Sequence, residues 1–122
     1  MSFGFKHGIV TEADLVFDVR CFPNPFYIPS LKELTGLERE VRDYVFSSDN
    51  TAAFLKKLYE LFDLMIPLYI EEGKSQLTVA LGCTGGKHRS VALAEEIGKH
   101  LGEKYKTVVV HRDITELNDP NK

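Results

Sequence analysis

The chain contains no apolar run that approaches the ~20 residues a bilayer-spanning helix needs, which argues against such a helix. No charged-then-apolar leader precedes Phe3, so a cytoplasmic setting is expected. Cysteine is scarce. Cys21 and Cys83 lie far apart and fit no zinc spacing, so reduced thiols are expected, with no metal site and no cofactor. Positive charge is not in excess either: the net charge is −3, so any nucleic-acid role has to come from a local patch. The G-x4-G-K-[ST] pattern of a Walker A loop is absent. So are internal repeats and low-complexity segments. At 122 residues, 43% of them hydrophobic and 27% charged, the chain is long enough for one core and not for two. The expected division is one α/β domain over 1–113 and a flexible polar tail over 114–122.

What is present centres on Leu77–Leu101, LTVALGCTGGKHRSVALAEEIGKHL. Its apolar opening, Leu77–Leu81, reads as a buried strand. Leu93, Ala94, Ile97 and Leu101 recur at steps of three and four and mark one face of a helix. Between them, Gly82, Gly85 and Gly86 let the backbone turn sharply and aim N–H groups inward. The helix adds its free N–H groups and the positive end of its dipole, and Lys87, His88 and Arg89 add full charges. A strand, a glycine loop and a basic helix start together predict an anion site suited to phosphate.

Cys83 and Arg89 also form C-x5-R followed by Ser90, the spacing of cysteine-dependent phosphatases. In those enzymes Arg grips two phosphate oxygens and a thiolate attacks phosphorus. Cationic neighbours and a helix start favour a thiolate at Cys83, the candidate nucleophile. Against this, Gly82 stands where that motif usually has His, and no clear acid loop supplies an Asp. A small buried cysteine at a strand end remains the simpler alternative.

Elsewhere, Ser2–Lys6 and Leu15–Val19 read as strands, and Thr107–Val110 as a fourth. Pro23, Pro25 and Pro29 forbid regular structure and predict an ordered surface loop. Glu38–Phe46 reads as a modest helix. A longer helix runs from Thr51 to about Ile70, with Phe54, Leu58, Leu61, Phe62, Met65 and Tyr69 as its core stripe and Pro67 expected to kink or loosen its last turn. The sum is an α/β fold, a small, mostly parallel sheet of about four strands sandwiched by helices. Each expected strand is followed by basic residues: Lys6 and His7, Arg20, Lys87–Arg89, and His111 with Arg112. In a parallel sheet these gather at the edge where ligands bind. Taken one at a time, each is equally explained by solvation or by a carboxylate nearby, Asp18 or Asp113 for Arg20.

Three stretches, Ser2–Lys6, Phe17–Pro25 (FDVRCFPNP) and Gly82–Ser90 (GCTGGKHRS), together with Thr35-Gly36-Leu37, resemble the C-terminal domain of the RapZ/YvcJ family of bacterial proteins. The resemblance covers nearly the whole chain. It implies a regulatory cytoplasmic role, a P-loop nucleotide-binding domain ahead of this one, and assembly into homo-oligomers. It likens the fold to part of phosphofructokinase. In the enterobacterial branch it implies binding of a hexosamine phosphate (an amino sugar phosphate) and of small RNA, with delivery of RNA to a ribonuclease.

Carried onto this chain, the sugar-phosphate loop falls on Thr84, Gly85, Gly86, Lys87, His88, Arg89 and Ser90, bordered by Arg20 and Asn24. Lys6, His7, His111 and Arg112 complete an outer basic ring. Two departures stand out: Phe26 replaces the His that follows Pro-Asn-Pro in the enterobacterial proteins, and the C-terminus is acidic where theirs is basic. The leading expectation is a non-catalytic sensor of a small phosphorylated metabolite. A C-x5-R phosphatase and an RNA-binding module using Phe22, Phe26 and Tyr27 are the alternatives.

Overall fold

The structure, a computed structural model, describes residues 1–115. The expectation of a frayed tail falls mostly on 116–122, outside the described residues. Strands β1 (Ser2–Gly4), β2 (Leu15–Asp18) and β3 (Val79–Cys83) form one parallel sheet in the order β1-β3-β2. The central strand is the apolar run Val79–Cys83, buried from Ala80 onward, as a parallel strand covered on both faces should be. Gly4 pairs with Cys83 and Asp18 with Gly82, so all three strands end at one edge.

The expected fourth strand is reduced to a single bridge. Ser2 pairs in parallel with His111, through Ser2 N–H to the Val110 carbonyl (2.9 Å) and Arg112 N–H to the Ser2 carbonyl (3.0 Å). This register sets Val110 opposite Met1, and Thr107–Val109 have no partner on β1. β-Branched residues favour strands only where a neighbour supplies the ladder.

Three helices meet the sheet: α1 (Arg39–Val45), α2 (Asp49–Glu71) and α3 (Arg89–Leu101). Leu81 and Cys83 share one core with Val41 and Val45 of α1, Leu58, Phe62 and Ile66 of α2, and Ala92, Leu93 and Ile97 of α3. On the other face, Phe3 and Ala80 are covered by Val10, with Phe5 and Ala13 packed alongside, from the β1–β2 connection. Ser48 caps α2 by accepting the Asn50 N–H at 3.1 Å, and the helix continues through Pro67 to Glu71. Its buried stripe is narrower than the periodicity predicts: Leu61 is 40% exposed and Ile66 is buried instead. Each fully buried Leu or Phe contributes about 1.5–3 kcal/mol, so Leu58 and Phe62 are main contributors to seating this helix, with Ile66 beside them.

Candidate functional site

The loop Thr84–His88 leaves the centre of the sheet between two other strand exits, Phe5–His7 after β1 and Val19–Phe22 after β2. Its path depends on glycine. Gly86 has φ +79°, and a Cβ there would lie 2.6 Å from the Gly4 nitrogen. A Cβ on Gly4 would in turn lie 2.5 Å from the Gly85 oxygen and 2.7 Å from the Gly86 nitrogen. The loop therefore lies backbone against backbone on the end of β1. Asp113 fixes the same point, accepting the Gly4 N–H at 2.8 Å. Burial pushes the Asp113 carboxyl up, but Arg112 and the Gly4 N–H together hold it below the usual range.

The loop forms one wall of a cleft of about 350 Å³. Cys83, Thr84, Gly85, Lys87, His88 and Arg89 line that wall; Lys6, Asn24, Phe26, Tyr27, Lys32 and Glu33 line the rest. Among the described residues, the N–H groups of Gly85, Lys87 and His88 have no backbone acceptor. Lys87 and Arg89 are only 8% and 5% exposed, and among the described residues neither makes an ion pair. The nearby carboxylates are engaged elsewhere. Glu38 accepts from the Thr35 N–H (2.9 Å) and hydroxyl (2.7 Å), and these bonds hold its carboxyl below the usual range. Asp18 accepts from Arg20 at 2.9 and 2.6 Å, which lowers its carboxyl likewise.

Arg89 also joins two strand exits. It donates through Nη1 to the carbonyls of Arg20 and Phe22, and through Nη2 to the Thr84 hydroxyl at 3.4 Å; its buried Nε has no partner. His88 turns the other way and donates from Nε2 to the Lys32 carbonyl (3.1 Å), tying the proline-rich loop to the start of α3. Burial lowers the His88 pKa, and the charges of Lys87 and Arg89 act in the same sense, so its neutral form is favoured. Ser90 is fully buried, with its hydroxyl 3.1 Å from the Cys83 sulfur.

The structure divides the expected outer ring. Lys6 and Asn24 line the cleft with the loop. Asn24 also accepts the Phe26 N–H through Oδ1 at 3.1 Å, which starts the 3-10 turn Pro25–Tyr27. Arg20 is closed onto Asp18 and lies 4.1 Å from the Phe5 ring centre. His111 is held between the Ser2 hydroxyl and Glu95, both at 2.7 Å, and Arg112 by Asp113 and the carbonyls of Gly8 and Ile9. His7 Nε2 is buried without a partner and does not line the cleft. Lys32 and Glu33 follow the proline-rich loop in no recognisable motif; the His88–Lys32 bond and the Lys32 ammonium over the Phe26 ring bring this segment to the cleft. Among the described residues no group of three or more His, Cys, Asp or Glu could hold a metal ion, and no helix is long and apolar enough to cross a membrane.

Comparison with known proteins places the chain in a family. The model of the RapZ C-terminal domain family matches residues 1–115. A nucleotide-binding protein of Bacillus cytotoxicus is 60% identical over 114 residues, covering 93% of this chain and 39% of the relative. Nucleotide-binding proteins of Bacillus thuringiensis and Bacillus cereus are 59% identical over the same length and coverage. The chain thus spans about two-fifths of the length of these relatives. It belongs to the RapZ C-terminal domain family.

Proposed function

We propose that this domain is a regulatory sensor that binds a small phosphorylated metabolite in the Thr84–Arg89 cleft. The observation that carries the reading is the pair of buried cations, Lys87 and Arg89, neither of which makes an ion pair among the described residues. Buried charge is costly unless paired, and an anionic ligand supplies the missing partner. Lys87 and the N–H groups of Gly85, Lys87 and His88 take phosphate oxygens; Arg89 adds its field; Lys6 closes the site from the turn after β1. The hexosamine phosphate implied by the resemblance is the first ligand to compare. Coupling of the bound state to small RNA and a ribonuclease, in a cytoplasmic homo-oligomer with a P-loop domain, is the regulatory output this reading assigns to the longer protein.

The test is calorimetric titration of the domain with inorganic phosphate and glucosamine 6-phosphate, repeated on Lys87→Gln. Binding should weaken about 10- to 100-fold in the variant, the loss of one charge-assisted hydrogen bond. An unchanged affinity, or no binding to wild type, rejects the reading.

A cysteine-dependent phosphatase is the second reading. The Ser90 hydroxyl favours it by lying 3.1 Å from the sulfur of the candidate nucleophile, Cys83. The orientation of Arg89 toward the carbonyls of Arg20 and Phe22 counts against it.

A further inference from the structure

Helix α2 carries a second apolar stripe that its own domain does not cover. Leu58, Phe62 and Ile66 turn into the core, while Leu61, Leu64 and Leu68 stand 40%, 62% and 49% exposed. Single exposed leucines are ordinary on a protein surface, but these three recur at steps of three and four. At 3.6 residues per turn they fall within about 60° of one another, on the side of the helix away from the core. Exposed Lys57 lies on the same side one turn before Leu61, and exposed Glu71 one turn after Leu68, with exposed Glu72 beside it. Among the described residues none of these three charged groups makes an ion pair. The stripe thus has a basic head and an acidic foot, about 20 Å apart along the axis. The foot sits at the negative end of the helix dipole, where carboxylates are unfavourable, and the last turn holds no basic residue to offset them.

A stripe with that polarity is complementary to itself when reversed. We propose that α2 is a contact between two copies of this chain, packed antiparallel about a two-fold axis at Leu64. Leu64 then meets its own counterpart, Leu61 faces Leu68 of the second copy, and Lys57 faces Glu71 and Glu72 of the second copy. The incoming lysine supplies the cation that the end of the helix lacks. A parallel pair would set Lys57 on Lys57 and Glu71 on Glu71, so charge selects the antiparallel arrangement. One helix pair buries less than a standard interface, so the dimer is weak, with a dissociation constant on the order of 0.1 mM. None of these residues lines the Thr84–Arg89 cleft. The inference gives a surface to the homo-oligomer named above and does not depend on the phosphate site.

Sedimentation equilibrium from about 0.02 to 1 mM tests it, on wild type, Leu64→Lys, Lys57→Glu and the triple variant Lys57→Glu/Glu71→Lys/Glu72→Lys. Every substituted side chain is exposed, and thermal melts establish that each variant folds. Wild type should associate to a dimer and no further. Leu64→Lys sets two ammonium groups together on the axis and should weaken the dimer about 10-fold or more. Lys57→Glu changes both symmetric ends and should weaken it about threefold or more at low salt. The triple variant should return to within about twofold of wild type, because opposite charges face each other again. Wild type that stays monomeric at about 1 mM overturns the proposal and leaves the stripe to the remainder of the longer protein. A dimer that Leu64→Lys does not weaken overturns it in favour of another surface. A triple variant that associates no better than Lys57→Glu overturns the antiparallel pairing.

Discussion

The hydroxyl of Ser90 stands 3.1 Å from the sulfur of Cys83, with both residues buried. One is the last residue of β3 and the other the second of α3, so this contact closes the base of the loop. A thiol and a hydroxyl are interchangeable there as donor or acceptor. We therefore expect Cys83→Ser to bind inorganic phosphate within about threefold of wild type. Wild type should release no para-nitrophenol from para-nitrophenyl phosphate above the buffer rate. Turnover by wild type that vanishes in Cys83→Ser, with phosphate binding retained, would establish the phosphatase reading.

The loop's conformation depends on the absence of a side chain at Gly4. An added methyl would meet backbone atoms of Gly85 and Gly86, which cannot rotate aside. Gly4→Ala should cost about 1–3 kcal/mol, the usual penalty for overpacking a filled site. Chemical denaturation measures the loss, and calorimetry should show weaker phosphate binding as well, because the displaced segment is the anion loop itself. A variant as stable as wild type would mean that β1 and the loop can part without cost.

His88 contributes to the acid response above the carboxyl range, beside the N-terminal amine, whose pKa burial likewise lowers from 8.0. Burial lowers the His88 pKa below the ordinary 6.5, so the folded state resists protonation that the unfolded chain accepts. The unfolded state then binds more protons below about pH 6.5, and stability falls as pH drops from there toward the lower folded pKa. Asp14, Asp18, Glu38 and Asp113 are all lowered too, so their contribution is lost only further down, below the ordinary carboxyl values of 3.8 and 4.5. Melting temperatures between pH 7.5 and 5 should decline in wild type and flatten in His88→Gln. The same decline in the variant would assign the effect to another group.

Much of this arrangement was legible in the chain. The strand–loop–helix was readable because three signals coincide between Leu77 and Leu101: an apolar run, glycines, and a helical period beginning near the basic residues. The gathering of basic residues at one edge was only partly realised. Parallel strands do bring their exits together, as Gly4, Asp18 and Cys83 show. A strand-end position, however, does not say what the side chain finds there. Arg20 finds Asp18 two residues back, and Arg112 finds Asp113 next to it. Lys87 and Arg89 sit in a loop of Thr and Gly with no acid of its own, and among the described residues neither makes an ion pair. The tether of His111 to Glu95 joins residues sixteen apart, through a bridge to β1 that no local pattern encodes.

That tether yields the last prediction. His111 holds the chain after Val110 onto β1 and α3 at once, its Nδ1 on the fully buried Ser2 hydroxyl and its Nε2 on Glu95. Removing the ring leaves the Ser2 hydroxyl buried without this partner, and one unsatisfied buried group costs about 1–3 kcal/mol. His111→Ala should therefore lose about 2 kcal/mol in chemical denaturation. Because His111 is spent on structure and does not line the cleft, its affinity for inorganic phosphate, measured well below the melting point, should match wild type. A folded His111→Ala protein with sharply weakened phosphate binding would return this residue to the ring of ligand contacts that its place at a strand end first suggested.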